Sequence, residues 1–425
     1  MSHHAVLHAE AAFNLGPNHV RVNGVRTMSG VASVELSSRF EDFGLGDPIP
    51  IALRLDVHLA GSTTLDHAVA DAEAVAAFVV PPLALAANAG TTDPRLSIVF
   101  DDDGDEDEHR MRFVGTAREV DPVTTGSRLL PPDAALAVLS ALEAHAEWLR
   151  LHRAMVHYGE ALMNWQPGRE LRAVESLFVA VENLTPAVLR MHMRSTGVDK
   201  ATLRAEWASL MPDNRCSSCG VEYHSEGALQ SAARRALLFP GNDELLTEAR
   251  KISDALEHGF DSFPRMHAAA KNCRDDLARV VRSRLLELLD LTPTVLSALT
   301  GAPFASPQRR DQAVPGMAAT LVGPASSLAP PGEGSPIVGV GVTRTRASLH
   351  PDGTVELQED HKWDFKFGDG VRAEDCVFMI SDRATDSSVV DQVHARAGDA
   401  PGSRRVPGMV PTLVASEAGV GQPRG

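Results

Sequence analysis

Aromatic side chains are scarce in this sequence: they make up 5% of its 425 residues, and only two are tyrosines. Proteins that bind single-stranded nucleic acid stack bases on aromatic platforms, so the composition disfavours that class. Basic residues are also in the minority, with 40 Lys and Arg against 56 Asp and Glu and a net charge of −16. Because a surface of that sign repels phosphate backbones and anionic membranes, we expect neither DNA nor a membrane as a partner.

Several catalytic and nucleotide-binding signatures are missing from the sequence. It contains no GxxxxGK[ST] phosphate loop, no GxSxG nucleophile elbow and no HExxH zinc-protease helix. The glycine-rich stretch GEGSPI at 332–337 ends in isoleucine where a dinucleotide fingerprint needs its last glycine. We therefore expect no nucleotide cofactor and no enzyme of these classes.

Cysteine and long apolar runs are scarce as well. Four cysteines in 425 residues do not make a disulfide framework. The first residues, MSHHAVLHAEAAF, lack the charged and apolar regions of a signal peptide. The longest apolar candidate, residues 68–89, is interrupted by Asp71, Glu73 and the pair Pro81-Pro82. These absences predict a soluble cytoplasmic protein.

The first 130 residues show the patterns of a mixed α/β domain. Apolar and polar residues alternate over 51–59, which predicts a strand with one buried face, and 31–40 is its predicted partner. Residues 64–80 predict a helix that ends at the two prolines, followed by a short second helix closed by Gly90. A hairpin is expected around the acidic run at 101–108.

From residue 130 to about 300 the apolar spacing becomes helical. One pattern begins at Pro132 and runs to Trp165, and a second follows over 171–184. Further helices fit 201–211, 227–239, 244–258 and 266–289. Because several long amphipathic helices with short connections bury their apolar faces against one another, we expect an antiparallel helical bundle.

The predicted fold class is therefore α+β. Its domains are a mixed α/β domain at 1–130, a central antiparallel all-α bundle at 131–300, and a small β unit at 337–396. Residues 301–336 are rich in Pro, Gly, Ala and Ser and predict a flexible linker, and 397–425 predict a disordered tail.

The motif Cys216-Ser-Ser-Cys219 gives the most specific local signal. Two thiolates separated by two residues can bind one zinc ion, and His224 is a candidate third ligand. A fourth would have to come from elsewhere, for example Cys273 or His267. Structural zinc, a redox pair and two plain loop cysteines all remain open interpretations of this motif.

Glu257-His258-Gly259 ends the helix predicted at 244–258. Histidine is favoured in a last helical turn by the helix dipole, and glycine is favoured just after it. This capping role is one interpretation of His258. The other is a general acid or base, with Asp254 one turn earlier on the same face orienting the imidazole.

Three stretches of the helical region resemble the HEPN-like bundle families of bacteria. They are LRAVESLFVAVENLTPAVL at 171–189, RALLFPGNDELLTEARKISDALEHGF at 235–260 and RVVRSRLLELLDL at 279–291. The first resembles a long helix that packs an acidic residue, here Glu182, into the bundle. The second resembles a later helix that ends in histidine and glycine. The resemblance covers residues 130–300 and implies a homodimer.

In ribonucleases of the HEPN type, the active site consists of an arginine, a polar residue and a histidine, and it is shared across the dimer. Carried over to this chain, His258 matches the histidine and Asp254 the polar residue, whereas Ser253 occupies the arginine position. Serine cannot replace a guanidinium beside a phosphate. The resemblance thus implies a non-catalytic or degenerate binding and dimerisation protein. The alternative is a metal-independent ribonuclease acting on RNA, with Arg250 and Glu182 supporting His258.

Overall fold

The structure is a computed structural model that describes most of the chain. The described residues are 2–42, 44, 46–101, 111–113, 128–166, 168–211, 225–259, 261–308, 314–322, 337–353, 355–366, 372–381, 393–395 and 403–409. Within them nine α-helices accompany fourteen strands, which confirms the predicted α+β class. The chain divides into two compact units. The first comprises 1–38, 52–117 and 129–309, and the second comprises 39–51, 118–128 and 310–425.

Along the chain, eight strands interrupted after β5 by helix α1 precede eight further helices, and six strands follow them among the described residues. The first strands are β1 (Ser2–Ala9), β2 (Phe13–Asn14), β3 (Val20–Arg26), β4 (Val31–Glu41), β5 (Ile49–Ala60), β6 (Arg95–Asp101), β7 (Met111–Phe113) and β8 (Arg128–Leu129). The helices are α1 (Leu65–Ala87), α2 (Pro132–Ala144), α3 (Trp148–Met163), α4 (Glu170–Thr196), α5 (Lys200–Glu206), α6 (Ser225–Ala233), α7 (Asp243–His258), α8 (Phe263–Leu288) and α9 (Pro293–Thr300). The last strands are β9 (Val314–Val322), β10 (Ile337–Leu349), β11 (Val355–Lys366), β12 (Arg372–Ser381), β13 (Val393–Ala395) and β14 (Ser403–Met409).

One layer of the first unit is a six-stranded sheet with the order β3-β4-β5-β1-β6-β7. Along β5, the apolar residues Leu55, Val57 and Leu59 are buried. The polar residues Arg54 and His58, which alternate with the apolar ones, are exposed. The predicted alternation and the predicted pairing of β4 with β5 are thus confirmed. The antiparallel pair β6–β7 is the hairpin expected around the acidic run, whose residues 102–108 lie outside the described residues.

Helix α1 packs on this sheet and continues through Pro81 and Pro82, so the predicted end of the helix at these prolines is wrong. Each proline lacks an N–H and leaves the carbonyl four residues earlier without its intrahelical donor. For Pro81 that carbonyl belongs to Ala77, and Nε2 of His152 in α3 lies 3.1 Å from its oxygen. The histidine thus replaces the missing donor. The helix ends instead at Asn88, in the left-handed conformation with φ 47°.

The carboxyl end of α1 is tied to the rest of the unit by buried polar side chains. Arg282 of α8 donates to the carbonyl oxygens of Leu85 (2.9 Å) and Ala86 (2.8 Å). Tyr158 donates its hydroxyl to Asn88 Oδ1 at 2.7 Å. By length and composition α1 could cross a membrane, with a mean hydropathy of 1.6, but 61% of that window is buried. These contacts and this burial make α1 a core helix of the unit.

The helices extend the same core. Leu7 of β1, Leu55 of β5, Leu83 of α1, Tyr158 of α3 and Leu285 of α8 belong to one apolar cluster. The predicted boundary between residues 130 and 131 therefore lies inside the first unit. Within the helical part, α3 packs on α4, α4 on α8, and α7 on both α4 and α8.

The single helical pattern predicted from Pro132 to Trp165 is in fact two helices, α2 and α3. The break includes Glu147, whose side chain leaves the helical path to pair with two arginines of α4. Its carboxylate accepts from Arg190 Nε at 2.9 Å and from Arg194 Nη2 at 2.6 Å. These contacts link the start of α3 to the carboxyl-terminal part of α4.

The second unit contains two three-stranded sheets, β10-β11-β14 and β13-β12-β9. The antiparallel pair β10–β11 is joined through the predicted turn, where Gly353 N–H donates to His350 O at 2.9 Å. The prediction of a linker at 301–336 does not hold for β9, because its backbone pairs with β12. Likewise, β14 lies within the predicted disordered tail and pairs with β11.

Candidate functional site

The candidate site lies where α4, α7 and a short π-helical segment, Arg234–Leu238, meet. In this segment the N–H of Phe239 donates to the carbonyl of Arg234, five residues earlier, at 2.8 Å. The wider turn follows α6 directly and ends just before Pro240, which cannot donate a hydrogen bond. Single π-helical turns often occur at functional sites, and this one presents a charged side chain, Arg234, to α4.

Arg234 is the centre of the site and is anchored on α4. Its Nη2 lies 3.2 Å from Glu182 Oε1, and its Nε donates to Thr185 Oγ1 at 3.0 Å. The guanidinium carbon lies 5.6 Å from the ring centroid of Phe178, within the range of a cation–π contact. Thr185 in turn donates to the carbonyl of Val181 at 2.7 Å. The guanidinium is therefore held on two edges and one face.

Arg250 and Asp254, both on α7, form the second half of the site. They are one helical turn apart, with Arg250 Nε 3.5 Å from Asp254 Oδ2. Burial lowers the pKa of Arg234, and the carboxylates of Glu182 and Asp254 act in the opposite direction. Two guanidiniums thus face two carboxylates, so the cluster is neutral overall. Charge balance of this kind is what allows ionised side chains to lie partly buried between helices.

Asp254 turns toward Arg250 within this cluster. Its Oδ2 is inaccessible to solvent and accepts no hydrogen bond from the described part of the chain. Among those same residues, no hydrogen bond joins Asp254 to His258, although the two are four residues apart on α7. The predicted orienting role of Asp254 toward the imidazole is not supported by this arrangement.

His258 is exposed in the last turn of α7. Gly259 follows it in the left-handed conformation with φ 68°, and its N–H donates to the carbonyl of Ala255 at 2.8 Å. This is the geometry expected for the capping interpretation of the Glu-His-Gly triplet.

One expectation about the neighbouring residues needs correction. Glu182 does not lie in the core: 47% of its side chain is exposed, because its carboxylate pairs with Arg234 at the rim of the bundle. The buried acid of α4 is Glu170, whose Oε2 lies 3.7 Å from His267 Nδ1. Ser253, at the arginine position, is buried and places its hydroxyl 3.5 Å from Glu257.

No protein-family model, no curated protein and no solved structure matches this chain.

Sequence reasoning identified Glu182, Arg250 and Asp254, which the structure brings into one cluster, but it missed Arg234 and Thr185. The available signal was weak. Arg234 stands in an Arg-Arg pair inside an otherwise apolar segment, and the periodicity predicted an ordinary helix over 227–239. The wider π-helical turn changes which side chains of the segment face α4. The spacing of an ordinary α-helix therefore does not predict that Arg234 meets Glu182 and Thr185.

The predicted metal ligands Cys216, Cys219 and His224 lie outside the described residues. Within the described ranges, no group of three or more His, Cys, Asp or Glu side chains could hold a metal ion. Cys273, considered as a further ligand, is buried on α8, and burial raises the pKa of its thiol to about 11. A thiol with that pKa stays protonated at neutral pH and is a poor ligand unless a metal displaces the proton.

Proposed function

We propose that this chain is a non-catalytic binding and dimerisation protein in which the HEPN-like helices serve as a scaffold. The proposal rests on one observation: the charged side chains that a ribonuclease would need are already paired with one another. Glu182 is paired with Arg234, and Asp254 is paired with Arg250. A guanidinium that neutralises a carboxylate within the fold has little capacity left to stabilise the charge of a scissile phosphate.

The position of His258 supports the same proposal. Asp254, the residue expected to orient the imidazole, is paired with Arg250. His258 is exposed at a helix end, where capping accounts for its presence.

Cleavage of a mixed, end-labelled RNA pool tests the proposal. Wild type, His258→Ala and the control His67→Ala, which removes an exposed histidine from α1, are compared at matched purity beside a known ribonuclease. We expect no cleavage by any of the three. Cleavage by wild type and by His67→Ala that is lost in His258→Ala would overturn the proposal.

A second candidate function is a metal-independent ribonuclease, and one specific observation favours it. The sequence has Ser253 at the arginine position, but the fold brings Arg234 from another segment close enough for Asp254 to influence its pKa. An arginine supplied in space could stand in for the one missing from the motif. This function predicts that Arg234→Gln, Arg250→Gln and His258→Ala each abolish cleavage in the same assay.

We further propose a cytoplasmic location and a homodimer. Apart from α1, which is mostly buried, no helix among the described residues is long and apolar enough to cross a membrane. The net charge of −16 disfavours binding to DNA and to anionic lipids. Fractionation of cells that express the tagged chain, probed for the soluble and membrane fractions, tests the location.

A further inference from the structure

Helix α3 has an outward face that no described element covers. Its buried side chains, which pack on the rest of the unit, are Leu151, Ala154, Met155, Tyr158, Ala161 and Leu162. On the opposite side lie Leu149, Val156 and Met163, which are seven residues apart and therefore form one line along the helix. Leu149 is 46% exposed and Met163 is 44% exposed. We call these three residues the outer stripe of α3.

Two opposite charges lie on the same line, between the residues of the outer stripe. Arg153 is exposed and has no acidic partner among the described residues. Glu160 has 46% of its side chain exposed, and its Oε2 lies 2.7 Å from His157 Nδ1. Its second carboxylate oxygen accepts no hydrogen bond from the described part of the chain. An exposed cation and an incompletely paired anion thus remain one turn on either side of Val156.

The order of residue types along this line (apolar, basic, apolar, acidic, apolar) is complementary to its own reverse. If a second, identical helix is laid antiparallel with Val156 at the crossing point, Leu149 faces Met163 of the second copy. Arg153 then lies opposite Gly159 of the second copy, one residue or about 1.5 Å along the axis from Glu160, so the two charged side chains are neighbours. The same contacts recur on the other side of the two-fold axis. An isologous contact requires self-complementarity of this kind. A random exposed helix face has no reason to pair both its apolar ends and its charges in this way.

We propose that the outer stripe of α3, with Arg153 and Glu160, is the surface through which two copies of this chain dimerise. The two α3 helices pack antiparallel, Leu149, Val156 and Met163 form the apolar centre, and two Arg153–Glu160 ion pairs flank it. This inference rests on the dimerisation part of the proposed function and names its surface. It makes no use of His258 or the Arg234 cluster, so the RNA assay does not bear on it.

The size of the surface sets the expected strength of the dimer. The outer stripe runs from Leu149 to Met163, 14 residue steps or about 21 Å of helix. A contact between single helices of that length buries less than the roughly 1,600 Å² of a standard interface. We therefore expect a dimer that dissociates on dilution, with monomer and dimer both present between about 1 and about 200 µM.

Sedimentation velocity of the full chain over that range tests the proposal by charge reversal. Arg153→Glu leaves two acidic side chains on each copy, and Glu160→Arg leaves two basic ones. Each single variant places like charges opposite each other, so each should weaken self-association by at least about tenfold. An equimolar mixture of the two variants should associate again, because every acidic position then faces a basic one.

Recovery in the mixture is the decisive result, because a variant that merely fails to fold cannot be rescued by another. Arg172→Glu is the matched control: it makes the same charge change at an exposed position of α4 and should leave association unchanged. Val156→Glu, at the crossing point, should give a monomer. A wild type that stays monomeric throughout the range, or a dimer that Arg153→Glu does not weaken, would overturn the proposal.

Discussion

The Nε2 atom of His152 lies 3.1 Å from the carbonyl oxygen of Ala77, the carbonyl that Pro81 leaves without an intrahelical donor. The imidazole also stacks on Phe78, with ring centroids 5.2 Å apart. One side chain of α3 thus completes the backbone hydrogen bonding of α1 and packs on its surface. The continuity of α1 through two prolines depends on a residue that is distant in sequence.

Replacement of His152 should therefore destabilise the first unit. His152→Ala removes the donor and leaves the Ala77 carbonyl unsatisfied, for which we expect a loss of about 1–2 kcal/mol in the free energy of unfolding. His152→Gln is the matched control, because a glutamine amide can place a donor near the position of Nε2 and should lose less. Urea titrations followed by helical circular dichroism measure both. Equal losses in the two variants would show that the hydrogen bond contributes nothing.

The same histidine predicts a dependence of stability on pH. Burial lowers the pKa of His152 below its ordinary value near 6.5, so the unfolded chain takes up a proton more readily than the folded one. Its contribution to stability is therefore complete above about pH 6.5 and is lost as the pH falls through the pKa of the folded state. Between pH 7.5 and 5.5, wild type should lose more unfolding free energy than His152→Gln. Parallel pH curves for the two proteins would contradict this.

The sequence predicted a helix or strand correctly where the spacing of its apolar residues matches a single buried face. The alternation along β5 and the apolar stripe of α4 each follow from one buried face, and both elements are found at the predicted places. The prediction failed at Pro81 because the compensating donor comes from α3. It also missed the break between α2 and α3, where Glu147 accepts from two arginines of α4. Neither partner can be identified from the residues around the failure.

The candidate site shows the same limit. Arg250 and Asp254 are one turn apart on a single helix, so their pairing could be anticipated from spacing. The link between Glu182 and Arg234 joins two segments 52 residues apart and depends on a π-helical turn. Packing of one segment against another creates that contact, and a single sequence carries no record of it.

Replacement of Arg282 tests how much a buried guanidinium contributes to the stability of the core. Its guanidinium is buried and donates to Leu85 O, Ala86 O and Leu299 O, so it joins the ends of α1 and α9. Burial lowers its pKa, and among the described residues no carboxylate is paired with the guanidinium. Arg282→Met keeps much of the volume but removes all three hydrogen bonds, of which only the one to Leu85 O is backed by a second donor, the N–H of Asn88 at 3.1 Å. We expect a loss of about 3–5 kcal/mol in unfolding free energy.

The matched control for Arg282 is Arg279→Met, on the same helix. Arg279 is exposed and, among the described residues, pairs with Asp276, so its replacement should change stability by less than about 0.5 kcal/mol. Urea titrations of the two variants measure the difference. Similar stabilities would mean that the cost of burying the Arg282 charge cancels the benefit of its three hydrogen bonds.

The zinc hypothesis for Cys216 and Cys219 makes a quantitative prediction. A structural site should retain about one equivalent of zinc per chain through purification, and Cys216→Ser should remove it. Cys273→Ser is the control, because that thiol is buried with its pKa raised to about 11 and should not affect the metal content. Elemental analysis of the three purified proteins decides the matter. A metal-free, fully folded wild type refutes the hypothesis.

Measurements of unfolding free energy on variants of His258 distinguish its capping role from a catalytic one. His258 lies in the last turn of α7, where the helix dipole favours a positive or hydrogen-bonding side chain. His258→Ala should therefore lower the unfolding free energy by about 0.3–1 kcal/mol, and His258→Lys should restore most of it. Catalysis would require the imidazole itself, so any activity would be lost in both variants. A loss above about 3 kcal/mol in His258→Ala would exceed what a cap contributes and would make His258 part of a buried network.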